Sequence, residues 1–143
     1  MSDGGSRRVG VRHGPDAVEL RVAARLENLA LLRTLVGAAG TFADLDFDSV
    51  ADLRLAVDEA CTRLIRSARP GATLLLVVDP REDAVVVEVA AECDAEEVVA
   101  PGSFSWHVLS ALTDDVQTFL DGSAAGRRVV GITLTTRRAG LPR

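Results

Sequence analysis

Lysine is absent from this chain of 143 residues, and all sixteen of its basic residues are arginine. The bias reads as a coding preference with one physical benefit, because guanidinium forks pair well with carboxylates. Basic charge is also in deficit. A net charge of −5 and a pI near 5.0 argue against nucleic-acid binding, which needs a concentrated basic surface. Long apolar runs are missing too. None approaches the roughly 20 residues needed to span a bilayer, and the first residues lack the apolar core of a signal peptide. These absences predict a soluble, cytoplasmic protein with no membrane contact. Cysteine is limited to Cys61 and Cys93, too few for a zinc site and not a CxxC pair. Cys61 reads as a small buried hydrophobe. Cys93 follows a strand, where a thiol can be exposed, but nothing nearby would lower its pKa, so a redox role is the lesser reading.

What the chain does have is 48% hydrophobic residues, enough for one core and a single domain. Its organising stretch is Asp46–Gly71. Val50, Leu53, Val57, Cys61, Leu64, Ile65 and Ala68 recur at spacings of three and four, the signature of an amphipathic helix. Asp46, Asp48 and Ser49 offer caps and negative charge at its start. Arg63, Arg66 and Arg69 crowd its end, and Pro70-Gly71 stops it. Glu59 and Arg63, four residues apart, share a face.

Residues 1–16 are rich in Gly, Arg and Ser without periodicity and are expected to form a flexible tail. A domain is expected over 17–138 and a short C-terminal tail over 139–143. Ala17–Ala23 alternates as a half-buried strand, and Leu26–Ala39 carries a helical apolar face. Ala72–Asp79 and Ala84–Glu92 are two apolar strands joined by a turn at Pro80–Asp83, an antiparallel hairpin. Ser103–Thr113 is expected to be a helix with Phe104, Val108, Ala111 and Leu112 inward. Trp106 reads as a core residue and His107 as a surface one. Val116–Asp121 and Val129–Arg137 complete five strands, linked by the turn DGSAAGR. This order predicts a two-layer α/β sandwich, a mixed five-stranded sheet with its helices on one face.

The same order, with the residues inside it, resembles the bacterial anti-sigma factors of the RsbW type, serine-protein kinases on the GHKL (histidine-kinase-like ATPase) fold. Within that group it is most similar to the anti-sigma-F factors of actinobacteria. The resemblance covers about residues 18–137. It is carried by LRLAVDEACTRLI (53–65), by SWHVLSALTDDVQ (105–117), and by LENLALLRTLVGAAG, in which Glu27 precedes Arg33 by six residues.

The resemblance implies ATP and magnesium as cofactors, a sigma factor as partner, a STAS-domain anti-anti-sigma factor as competitor, and a homodimer. It also implies roles for particular positions. Glu59 stands where the family has its general base, and Arg63 where it has a magnesium-ligating Asn. A guanidinium has donors but no acceptor, so it cannot ligate a metal. Ala91 replaces the adenine-reading Asp, Cys93 the first glycine of that box, and Ser103 and Ser105 the lid glycines. Glu92 is an acid one residue out of register, on the opposite face of a strand. Glu27 and Arg33 stand at partner-contact positions. Three functions therefore remain in view: an anti-sigma factor with a degenerate nucleotide site, an active magnesium-ATP-dependent kinase of the anti-anti-sigma factor, and a generic ligand or scaffold domain. As an alternative to a role as base, Glu59 and Arg63 form an exposed helix ion pair worth about 0.3–0.5 kcal/mol. Arg63 could instead grip a phosphate. Arg33 is either a solvated helix residue or a partner contact.

Overall fold

The computed structural model describes residues 13–122 and 128–138. The chain forms β1 (Val18–Ala23), a 3-10 turn (Leu26–Asn28), α1 (Leu29–Phe42), α2 (Phe47–Ser67), β2 (Thr73–Pro80) and β3 (Ala84–Glu92). Then follow α3 (Phe104–Leu112), β4 (Asp115–Asp121) and β5 (Val129–Arg137). The expected tail lies outside the described residues as far as residue 12, as do the segment 139–143 and most of the turn DGSAAGR. Residues 13–16 meet the sheet. The Gly14 amide donates to both carboxylate oxygens of Asp79 at 3.1 and 3.2 Å, and Arg81 holds Asp79 Oδ2 from the other side. That network satisfies a carboxylate only 1% exposed.

The α/β sandwich is as expected, with one correction to the sheet. Its order is β1-β2-β3-β5-β4, and every pairing is antiparallel rather than mixed. The physical reason is an insertion. β3 and β4, joined through α3, do run parallel, but β5 folds back between them and is antiparallel to both.

α2 is the middle of the helical layer, packing between α1 and α3. Its start is set by Asp46, whose side chain accepts the Ser49 amide at 2.7 Å. Leu53, Val57, Cys61, Leu64 and Ile65 are buried as the spacing requires, joined by Ala56 and Ala60. They meet Leu74, Leu76, Val78, Val85, Val87, Val89, Ile132 and Leu134 from alternate positions of the strands. α1 presents Leu32, Val36 and Gly40 to the same core. It ends in a Schellman motif: the Leu45 amide returns to the Gly40 carbonyl at 3.1 Å and the Asp44 amide to Thr41 at 3.0 Å. Asp44 occupies the left-handed position of that motif, with φ 64°. On the helix-free face the Phe119 ring lies against Gly131, where a Cβ would fall 1.9 Å from Phe119 Cζ.

α3 departs from the expected phase. Ser105 and Leu109 are its buried pair. Phe104 is 77% exposed, and Ala111 is exposed too. Trp106 and Leu112 pack against the core edge, and His107 is exposed.

Candidate functional site

α2 turns Glu59 and Arg63 toward the start of α3, and the turn before α3 brings a hydroxyl to meet them. Ser103 caps α3 by accepting the Trp106 amide at 3.2 Å. One residue into the helix, the buried Ser105 Oγ donates to Glu59 Oε2 at 2.6 Å. Arg63 Nε donates to that same oxygen at 3.1 Å. Two donors from the chain itself thus converge on one carboxylate oxygen. The Ser105 bond, above all, holds the Glu59 carboxyl below the usual carboxylate range. The hydrogen bond and charge of Arg63 and the charge of Arg66 add to it, against the opposing pull of partial burial. The result is an ionised, partnered and weakly basic carboxylate.

The positions singled out along β3 are apolar in fact as well as in type. Ala91 is 3% exposed and faces the helices, paired in register with Leu74 and Val130. Its methyl offers no acceptor. Glu92 falls on the opposite face, lining a groove of about 440 Å³ with Arg21, Thr73 and Phe119. Cys93 is buried. Its thiol donates weakly to the Leu64 carbonyl at 3.8 Å. Burial, with Asp94 and Glu92 beside it, pushes this thiol up to about 11. Burial and Asp58 push Cys61 up to about 12. Both are neutral thiols at physiological pH.

The segment after Cys93 is tied at several points. Cys93 pairs with Ala68 in an isolated bridge, and its amide donates to the Arg128 carbonyl at 2.9 Å. Arg128 Nη1 reaches the Asp94 carbonyl at 2.7 Å and its Nε lies 3.4 Å from Glu96. Arg69 lies 3.4 Å from Asp94. Val99 is 1% exposed, plugged into the core.

The remaining candidates lie apart from this cluster. Arg33 on α1 faces Asp58 on α2 at 3.2 Å, while Glu27 pairs with Arg25 at 2.8 Å, not with Arg33. The structure therefore brings together Glu59, Arg63 and Ser105, and it leaves Glu27 and Arg33 in separate exposed ion pairs. Sequence reasoning paired Glu59 with Arg63, which the structure bears out at 3.1 Å, gave Ser105 as a separate position, and missed the Ser105–Glu59 bond. A serine two residues beyond a helix cap, opposite a lone acid, was the available signal.

Residues 22–130 match the histidine kinase-like ATPase domain family, and the chain belongs to it. More particularly, it is 70% identical over 146 aligned positions to the anti-sigma-F factor RsbW of Mycobacterium tuberculosis, in two strains. The alignment takes in 100% of this chain and 86% of the relative. Among the described residues no helix is long and apolar enough to cross a membrane.

Proposed function

We propose that the protein is a cytoplasmic anti-sigma factor that binds and sequesters an alternative sigma factor of the sigma-F type. A STAS-domain antagonist competes for overlapping residues and releases the sigma factor. The likeness to anti-sigma-F factor RsbW along the whole chain supports the binding role. One observation carries the non-catalytic half of the reading: one oxygen of the Glu59 carboxylate already accepts from the chain's own Ser105 and Arg63, which leaves a less available base.

The residues at the nucleotide positions do not fit magnesium-ATP. Arg63 supplies donors where the metal needs an acceptor, and Ala91 supplies a methyl where adenine needs one. Phosphoryl transfer depends on positioning and on charge neutralisation by metal, so losses at these positions bear directly on rate. Sigma binding by a helical surface needs none of them. The kinase reading keeps one supporting observation, the ionised Glu59 itself.

Calorimetry with magnesium-ATP is expected to show weak or no binding, and sigma binding is expected to persist in nucleotide-free buffer. Tight magnesium-dependent binding that Glu59→Ala abolishes, with phosphate transfer to the antagonist, would restore the kinase. The active unit is a homodimer formed through the β1 side of the sheet, where Val18 is 41% exposed on a strand paired only to β2 among the described residues. Sedimentation showing only monomer at tens of micromolar would remove that part.

A further inference from the structure

The four phenylalanines of this chain are not used as core residues. Phe119 covers Gly131 on the sheet, and Phe104 opens α3 facing outward. Phe42 and Phe47 are 86% and 87% exposed. Phe42 is the last residue of α1 and Phe47 the first of α2, so the two rings flank the short connection 43–46 at the tip of the helical hairpin. A phenylalanine in water forfeits most of the roughly 150–250 Å² of burial that an aromatic side chain can contribute.

The stretch of sequence that builds this tip carries charge of one sign. Between Arg33 and Arg54 the sequence holds no basic residue, while Asp44, Asp46, Asp48 and Asp52 all fall there and all are exposed. One guanidinium, that of Arg138, reaches the base of the tip through the Ala43 carbonyl. Exposed aromatic rings ringed by carboxylates are a poor match for anionic lipid or nucleic acid, which the aspartates repel. They suit a protein surface that pairs an apolar pocket with a basic rim, the arrangement of a hot spot with a charged periphery.

We propose that the α1–α2 tip is a docking surface for a basic amphipathic helix of the sigma factor, with Phe42 and Phe47 as anchors and Asp44, Asp46, Asp48 and Asp52 as the rim. This rests on the anti-sigma reading above and adds to it a second contact. Nine residues of helix separate Phe42 from Arg33, about 14 Å at 1.5 Å per residue. A partner that engages both lies along the hairpin.

The test uses the full chain and purified sigma-F, with affinity and association rate measured between low and high salt. Phe42→Ala/Phe47→Ala is expected to weaken binding about 30-fold or more with an unchanged melting curve, because both rings are already in water. Asp44→Asn/Asp46→Asn/Asp48→Asn keeps residues that tolerate the left-handed and capping positions. It is expected to slow association and flatten its salt dependence. Wild-type affinity in the double phenylalanine variant, with the wild-type chain binding sigma-F, overturns the docking surface and leaves the anti-sigma reading standing. Failure of the wild-type chain to bind sigma-F overturns both. Binding of the wild-type chain to vesicles rich in phosphatidylserine, lost in the phenylalanine variant, would reassign the tip to membranes and also overturn the proposal.

Discussion

Ser105 Oγ and Glu59 Oε2 stand 2.6 Å apart across 46 residues of sequence, a charge-assisted bond that fastens the start of α3 to the middle of α2. Its oxygen is the one that Arg63 also engages. A single carboxylate oxygen thus gathers two of the protein's own donors.

Ser105→Ala should therefore act on both stability and titration. Loss of a hydrogen bond to a partly exposed carboxylate is expected to cost about 1 kcal/mol in urea denaturation. The Glu59 pKa is depressed in the folded state, so its contribution is fully present above the unfolded value of about 4.3. It is lost as pH falls through the lower folded value. Ser105→Ala should shrink that acid-side loss, and Glu59→Gln should remove it. An unchanged stability–pH profile below pH 5 in both variants would count against the bond.

Asp44 holds a left-handed conformation that glycine adopts without a Cβ penalty. Asp44→Gly is expected to stabilise the fold by about 0.5–1 kcal/mol, raising Tm by about 2–4 °C. Asp44→Val should do the reverse. A Tm that falls in the glycine variant would mean that the carboxylate supports the tip in some way its backbone does not reveal.

At Gly131 a new methyl would fall within 1.9 Å of Phe119 Cζ. Gly131→Ala is expected to destabilise by about 1–3 kcal/mol as the ring is pushed aside. The same change in a Phe119→Leu background should cost much less, and a double-mutant cycle reads the difference. Additive effects would place the ring elsewhere.

Neither cysteine should react quickly with a thiol reagent in the native state. Cys93 and Cys61 are buried, with thiols pushed up to about 11 and about 12. In denaturant both should titrate. Fast modification of one thiol in native buffer at pH 8 would show that the segment after β3 opens readily.

Arg33 Nε lies 3.2 Å from Asp58 Oδ1 with both side chains only partly exposed, a pair worth about 0.2–1 kcal/mol. Arg33→Ala is thus expected to leave the melting curve nearly unchanged while weakening sigma or antagonist binding by about 2–5 kcal/mol if the contact is buried in the complex. It is a cleaner probe than Arg33→Glu, which would set two carboxylates against each other. Wild-type affinity for both partners would move the interface away from α1.

Much of this fold could be read from local pattern. β3 and β5 fall at Ala84–Glu92 and Val129–Arg137, the limits their alternation predicts. α2 begins at the cap that Asp46 offers. These features depend on neighbours within one or two turns. What escaped depends on residues far apart. Phe104 was expected inward on helical phase alone, but Ser105 turns toward Glu59 and the helix rotates with it, leaving Phe104 outside. The mixed sheet was expected because strand order does not reveal that β5 inserts between β3 and β4. Asp79, an acid at a strand end, gave no sign of being buried under Gly14 and Arg81. Glu59 and Ser105 were each singled out in the sequence, and the bond that joins them was not.

The placement of β5 also governs when the protein can form at all. Ile132 and Leu134 fill the middle of the core, and β4 touches the rest of the sheet only through β5. During synthesis, the neighbouring strands β1, β2 and β3 emerge before β4 and β5. β4 must wait, with no strand to pair, until Val129–Arg137 has followed it out. Until then the inner edge of β3 is open to any passing strand, so mispairing is most favoured in the interval between the appearance of β3 and that of β5.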